Sequence, residues 1–326
     1  MDNALANINP AQTLPSYSMR MARHAEEWIE YFNAAPRQHF TQAYIYGEAK
    51  RQSTRMHVDR VVFEQGKTPV AICQVLQVRV AGVPLAARIN RGPMFLDTSP
   101  SESVREEVMR LIRQRWRVGH GGVLLLAPSL DASDVTSELM TRLGFRAVTK
   151  RTGWCSALMD LHLSEEEIRT RLQQRWRNRL NSSLKSGLEV RVATDEATME
   201  WMLERHLENQ RQKHFIGPKT KLLRTLYRAS PNDFPVVQAF YDGKPVGAMG
   251  LVHFGCVTEY YIGWFGEEGR KHNVGNFLYW QSMRCARQAG SRWFDLGGYN
   301  SSENFSQFKQ NLRGTEYRLT HEWLSM

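Results

Sequence analysis

The chain has 326 residues, 42% of them apolar and 23% charged, with a formal net charge of +10. That length suits two domains of about 150 residues each, and that balance excludes a long disordered or fibrous chain. No run of about 18 apolar residues is present, which excludes a membrane-spanning helix; the basic surface favours polyanions such as nucleic acid, nucleotide-linked sugars, CoA or anionic lipid headgroups.

Residues 1–18 are polar and mixed and read as a flexible leader without a secretory signal. From 19 to 32, Met21, Ala25, Trp28 and Phe32 recur at helical spacing among charges, which predicts an amphipathic helix stopped by Pro36. A second short helix is expected over 40–51, ending in Lys50 and Arg51. The β-branched runs 59–64, 70–80 and 85–90 predict a meander, with Gly66-Lys67 at its first turn and Arg91-Gly92-Pro93 interrupting it. A helix over 101–118 leads to the apolar strand 123–126, expected to be buried on both faces. A helix over 134–143 then ends at the C-cap glycine Gly144, ahead of strands 145–148 and 154–161.

A second unit repeats the first. Phe240-Tyr-Asp-Gly243-Lys244 matches Phe63-Glu-Gln-Gly66-Lys67, and each hairpin leads to a helix (101–118; 273–289) and then a short apolar strand (123–126; 292–296). The pattern predicts a duplicated α/β (α+β) domain, each copy a mostly antiparallel sheet with one helix-connected crossover. The expected division is 19–162 and 163–326. Between the copies, Ser164-Glu-Glu-Glu167 is a capping box opening a helix to 187, with Leu172, Trp176, Leu180 and Leu184 on one stripe. Arg171, Arg175 and Arg179 form the adjoining stripe, and like charges at that spacing repel, so either a polyanion contacts them, or acids elsewhere or solvent balance them. A further basic patch, Arg211 and Lys213 with neighbouring histidines, closes the next helix.

The stretch richest in chemistry lies near the C-terminus. Phe294-Asp295-Leu296-Gly297-Gly298 runs a short apolar strand into a glycine pair, which permits close backbone approach to a ligand, and Phe308-Lys309 supplies a cation soon after. No Walker loop, G-x-G-x-x-G, H-E-x-x-H or G-x-S-x-G motif occurs. The four cysteines are scattered, which predicts reduced thiols in a cytoplasmic protein and no metal site. Arg270-Lys271-His272-Asn273-Val274-Gly275-Asn276 opens the helix at 273, where cations and a glycine suit a pyrophosphate. GNAT acetyltransferases carry Gln/Arg-x-x-Gly-x-Gly/Ala at that point. Here His272 and Asn276 replace the outer members, so the CoA signature is degenerate.

Over roughly 40–326 the chain resembles the Fem-type transferases, built on two tandem GNAT domains. The likeness rests on Arg91-Gly92-Pro93, Leu143-Gly144-Phe145 ahead of Asp160-Leu161, the arginine-rich helix before Ser186-Gly187-Leu188-Glu189-Val190, Tyr260-Tyr261-Ile262-Gly263, Phe294 to Gly298 and Phe308-Lys309. The resemblance implies transfer of an amino acid from its tRNA ester to an amine on a cell-wall precursor, with no permanently bound cofactor. It implies that Lys309 lies near the reacting ester and Lys50 near a nucleotide-sugar diphosphate. The family's glycine-rich aromatic tail after Phe-Lys is here Gln310-Asn311-Leu312-Arg313-Gly314, which leaves donor and acceptor open.

GNAT-like sheets splay between two central strands, and the strands 258–263 and 292–296 are expected to do so here. Amine attack on an ester needs positioning and oxyanion stabilisation. Lys309, Tyr261 and Asp295 are the catalytic candidates: Lys309 against developing negative charge, Tyr261 beside the Gly297-Gly298 turn, and Asp295 either as base or as a brace for that turn. Lys50, Tyr46, Arg91, Arg211, Lys213, Gly297 and Gly298 are the candidate substrate contacts, and Arg171, Arg175, Arg179, Arg270 and Lys271 the candidate polyanion or tRNA contacts. The expected partners are charged tRNA and an anionic, amine-bearing acceptor, nucleotide- or lipid-linked, with peripheral membrane attachment open. Two alternatives stand beside this reading: an acyl-CoA-dependent N-acyltransferase, and a non-enzymatic RNA-binding protein using the arginine face alone. Chemistry is expected in the second copy only, since the first-copy counterpart Leu126-Ala127-Pro128-Ser129 lacks both glycines and lysine.

Overall fold

The computed structural model describes residues 16–117, 122–148, 153–215, 217–298 and 303–326. The chain opens with β1 (Tyr17–Met21), which pairs antiparallel to the next strand, so the expected leader already belongs to a sheet at its end; residues 1–15 lie outside the described residues. The helix expected from 19 starts only at α1 (Ala25–Ala34), where His24 accepts the amide of Glu27. Met21 shares the helical spacing by coincidence; the core face is Trp28 and Phe32. The helix expected over 40–51 is a 3₁₀ turn (Phe40–Gln42) followed by α2 (Tyr44–Thr54).

The meander forms as β2 (His57–Gln65), β3 (Thr68–Val80) and β4 (Val83–Asn90), with the two-residue β5 (Met94–Phe95) beside β3. Ser101 caps α3 (Glu102–Arg115), which leads to β6 (Val123–Ala127); Ser133 caps α4 (Asp134–Arg142), and Gly144 at φ +80° turns the chain into β7 (Arg146–Val148). Strand β6 is not buried on both faces. Leu124 and Leu126 are buried, whereas Val123 is exposed, because the strand begins at an open end of the sheet.

The second half starts with β8 (Cys155–Asp160) and α5 (Glu165–Arg171), whose capping box is present as expected. The single helix expected to 187 breaks at Leu172, where ψ is 141°, and restarts as α6 (Gln174–Leu184) with the Gln173 side chain accepting the amides of Arg175 and Trp176. Leu172, Trp176 and Leu180 are buried and Leu184 is not. There follow β9 (Glu189–Ala193), α7 (Glu196–Lys213) and α8 (Thr220–Ala229), then the second hairpin, β10 (Val236–Tyr241) and β11 (Lys244–Phe254). Its turn holds Asp242 and Gly243 both at positive φ, as a two-residue hairpin requires. The chain closes with β12 (Val257–Phe265), α9 (Glu267–Lys271), α10 (Val274–Gln288), β13 (Trp293–Asp295), α11 (Glu303–Gln310), β14 (Thr315–Arg318) and β15 (Glu322–Ser325).

Two sheets result. The first runs β1-β2-β3-β4-β6-β15-β7 and the second β14-β8-β13-β12-β11-β10-β9. Each contains one parallel pair, β4 with β6 and β12 with β13, which is the duplicated crossover. The sheets do not divide at residue 162. Strand β8 is inserted in the second sheet beside β13, and β15, at the far end of the chain, pairs with β6 and β7 in the first. Each half thus completes the other's sheet, a pairing that hydrophobic periodicity cannot encode because it joins segments far apart in the chain. α1, α2, α7 and α8 and the facing sides of both sheets form one core around Trp28, Phe40, Met202, Leu226 and Phe254. The outer faces are covered by α3 and α4 on the first sheet and by α5, α6 and α10 on the second. No helix among the described residues is long and apolar enough to cross a membrane.

Candidate active site

The two parallel pairs differ in one respect. In the first sheet β4 and β6 stay paired to the end of both strands, at Asn90 and Ala127. In the second, pairing covers only Val257 to Glu259 against Trp293 to Asp295, after which β12 continues to Phe265 and the other chain turns away. The turn is made by Gly297 at φ +71°, where an added methyl would lie 2.5 Å from the Tyr260 carbonyl oxygen, so only glycine fits. The splay is therefore confined to the second copy.

Lys309 of α11 enters this gap. Its ammonium donates to the carbonyl oxygens of Gly297 and Gly298, at 3.0 Å each, and lies 4.9 Å from the centre of the Tyr260 ring and 4.3 Å from that of Phe305. The side chain is fully buried. Burial pushes its pKa down to about 7, against the opposing pull of Asp295 and Glu259.

Asp295 and Glu259 are direct cross-strand neighbours and both are buried. The oxygens of Asp295 are taken up: Oδ1 accepts the Ser156 hydroxyl and the Gly297 amide (2.8 Å), and Oδ2 accepts the Tyr317 hydroxyl (2.7 Å). Asp295 braces the glycine turn. Among the described residues Glu259 has one long contact, 3.5 Å to a guanidinium nitrogen of Arg91. Burial raises its pKa; Arg91 opposes the rise and Asp295 adds to it. Arg91 comes from the first half, where its left-handed backbone (φ +52°) donates its amide to Ala127, and its guanidinium lies 4.4 Å from the centre of the Trp154 ring. Tyr261, two residues on from Glu259 and so on the same face, packs edge-on to Phe40 (5.1 Å), which also meets Tyr46 (5.4 Å). Burial pushes the hydroxyl pKa values of Tyr46, Tyr261 and Tyr317 up. His39, bonded to Ser129 at 2.8 Å, is held neutral first by burial and then by Arg91 and Arg37.

The structure thus brings together Lys309, Asp295, Tyr261, Gly297, Gly298, Arg91 and Tyr46. Lys50 stands one turn beyond Tyr46, 5.6 Å from the centre of its ring, with its pKa lowered by burial and then by Lys219. Arg211 and Lys213 do not join the cluster. They end α7, whose Asn209 bonds the Gly263 carbonyl at the far end of β12, and Lys213 is depressed by burial and then by Arg270. The break at Leu172 divides the expected arginine stripe, leaving Arg171 on α5 and Arg175 and Arg179 on α6; all three are exposed, and none has an ion pair among the described residues. Lys271 pairs with Glu268 at 2.7 Å, and Arg270 donates to the Phe265 carbonyl.

The start of α10 fits a CoA pyrophosphate poorly. Asn276 is buried with its side-chain amide on the Trp176 carbonyl (3.4 Å), and its own backbone amide is bonded to Asn273. Phe308 packs against Gly275, and His272 stacks on Tyr241 at 4.1 Å. Anion binding at a helix start needs open amides, and this turn is packed over. Among the described residues no cluster of three or more His, Cys, Asp or Glu side chains is placed to hold a metal ion.

Comparison with known proteins agrees with this geometry. Residues 169–310 match the family model of the acetyltransferase (GNAT) domain. FemX, 14% identical, superposes with a TM-score of 0.76 over 95% of this chain and 97% of its own. The chain has a Fem-like tandem GNAT fold, and its C-terminal half carries the match to a GNAT domain. A tandem GNAT protein from the clavulanic acid biosynthesis pathway superposes with a TM-score of 0.56 at 12% identity, over 95% of this chain and 98% of that one. The C-terminal domain of an Agrobacterium fabrum protein assigned as a lysylphosphatidylglycerol synthetase does so with a TM-score of 0.55 at 16% identity, over 93% of each. No curated protein matches the tandem GNAT chain in sequence.

Sequence reasoning missed Glu259, Tyr317 and His39. For Glu259 a signal existed, since Val257-Thr258-Glu259-Tyr260-Tyr261 sets one charge inside an otherwise uncharged strand, which burial makes costly without a partner. Tyr317 and His39 carry no local mark.

Proposed function

We propose that this acyltransferase moves an aminoacyl group from a tRNA ester to an amine on an anionic acceptor, nucleotide- or lipid-linked, in the cytoplasm where charged tRNA is available. The observation that carries the reading is the buried Lys309 bonded to the Gly297-Gly298 turn at the splay, within electrostatic reach of Asp295 and Glu259. In the proposed step the acceptor nitrogen forms a bond to the ester carbonyl carbon, and the bond from that carbon to the ribose oxygen breaks. Glu259 takes the proton lost by the amine, since Asp295 has its oxygens committed to the turn. Lys309 stabilises the oxyanion and protonates the departing ribose oxygen, for which a pKa near 7 suits it. Tyr261 and the Gly297-Gly298 turn position the carbonyl, while Arg91 holds Glu259 ionisable.

Two observations favour tRNA as donor over CoA. Arg171 at the end of α5 and Arg175 and Arg179 on α6 are exposed cations without ion pairs among the described residues, and the helix start suited to a pyrophosphate is packed against Phe308 and bonded to Trp176. The match to an acetyltransferase domain keeps the acyl-CoA reading as the second one. Supplying purified protein with charged tRNA and with acyl-CoA in parallel, against nucleotide-linked and lipid-linked amine acceptors, tests the assignment. Transfer from tRNA, lost in Lys309→Ala, is expected. Turnover with acyl-CoA alone would overturn the donor, and Lys309→Ala turnover equal to wild type would overturn the site.

A further inference from the structure

The β3–β4 hairpin runs past its neighbours. β2 covers β3 only as far as Gln77, opposite His57, and β6 begins to pair with β4 only at Ala86, opposite Val123. Residues 78–85 therefore project as a two-stranded tip, turning at Ala81 and Gly82, both at positive φ. Exposed strands are ordinarily polar or charged. This tip instead shows Val78, Val80, Val83 and Leu85, each between 43% and 59% exposed, with Val123 exposed beside them.

The surrounding segments are uniformly cationic. Arg55 caps the end of α2 just before β2, Arg115 ends α3 with Arg117 beyond it, and Arg146 opens β7, which lies at the same end of the sheet through its pairing with β15. All four are exposed, and the stretches 54–58, 77–86, 113–117, 122–124 and 145–147 contain no aspartate or glutamate. Arg79, within the tip, is turned back onto Asp59 at 3.3 Å. An aliphatic point ringed by arginines matches a surface that is apolar inside and anionic outside. A nucleic acid would be complementary to the arginines but offers nothing to four exposed aliphatic side chains.

We propose that the β3–β4 tip docks the protein on an anionic lipid bilayer, with Val78, Val80, Val83 and Leu85 entering the acyl boundary and Arg55, Arg115, Arg117 and Arg146 lying on the headgroups. β4 then runs from the bilayer towards Arg91; counted from Ala86, just beyond the inserted tip, this sets the transfer site roughly 15 Å above the headgroups at about 3.3 Å per strand residue.

Vesicle co-sedimentation of the full chain tests this, using phosphatidylcholine vesicles with and without phosphatidylglycerol, and hydrogen-exchange mass spectrometry to locate the covered segment. Binding that requires phosphatidylglycerol, slowed exchange over 78–85, and a loss of at least about tenfold in V80D/V83D and in R115E/R117E are expected. Thermal melts check that the variants fold, and the exchange measurement on wild type stands without them. No binding to anionic vesicles, binding without protection of 78–85, or binding unchanged in both variants overturns the proposal. So does a wild-type dimer in light scattering that V80D/V83D dissociates, since the tip is then a subunit contact. Loss of tRNA binding but not vesicle binding in R115E/R117E assigns the arginines to RNA and overturns it as well.

Discussion

Replacing Lys309 by methionine gives the sharpest physical test of the site, because it keeps the length of the side chain and removes its charge. The ammonium is fully buried, and its pKa falls from the ordinary 10.5 to about 7. Between those two values the unfolded chain holds a proton that the folded chain does not, so this group makes stability rise with pH across that window. The whole shift corresponds to roughly 5 kcal/mol of charge-burial cost present below pH 7. Between pH 7 and pH 9 about 2 kcal/mol of that cost is relieved in the wild type and none in Lys309→Met. Glu259 adds to the difference with the same sign. Loss of the neighbouring cation raises its pKa further, and a carboxyl with a raised pKa loses stability as pH rises through it. Urea unfolding followed by circular dichroism at pH 7, 8 and 9 reads the effect directly. The stability of wild type relative to Lys309→Met is expected to climb by about 2 kcal/mol over that range. Parallel pH curves for the two proteins would show that Lys309 is charged in an ordinary way, and the argument for its role would fall with that result.

Other changes probe the remaining parts. Glu259→Gln keeps the shape of the proton acceptor and is expected to lower kcat by about 10²-fold or more. The rise of rate with pH through the raised Glu259 pKa should vanish with it; a retained acidic limb would point to another base. Gly297→Ala places a methyl against the Tyr260 carbonyl at positive φ and should cost about 2 kcal/mol or more, seen as a lower Tm together with lost transfer. An unchanged Tm would mean that the turn adapts. Arg175→Glu with Arg179→Glu should weaken tRNA binding and lower the slope of log affinity against log salt by about 0.7–0.9 for each lost contact. Their thermal midpoint should stay at the wild-type value, and an unchanged slope would remove this face from the tRNA contact.

Much of this protein is legible from local pattern. The Gly66 and Gly243 hairpins, the capping box at Ser164 and the Gly144 C-cap are set within a few residues, and the structure has all of them. The glycine turn after Phe294-Asp295 and the lysine that follows were readable for the same reason, since the backbone of Gly297 admits no side chain. Where neighbouring signals competed, the pattern misled: Met21 fits a helix but pairs in β1, and the arginine helix breaks at Leu172 because Gln173 caps a new start.

What only the tertiary structure decided is which residues share the gap. Glu259 becomes the neighbour of Asp295 through the register of two parallel strands joined by a long crossover, and that register is fixed by packing on α10. Arg91 reaches Glu259 because β8 and β15 exchange between the sheets and lock the two halves around one core. Periodicity and propensity act over a few residues, whereas burial and charge pairing depend on contacts between distant segments. The sequence alone therefore determined the repeat, the glycine turn and the lysine. The fold set the depth at which Lys309 is buried and the pairing of Glu259 with Asp295 near it.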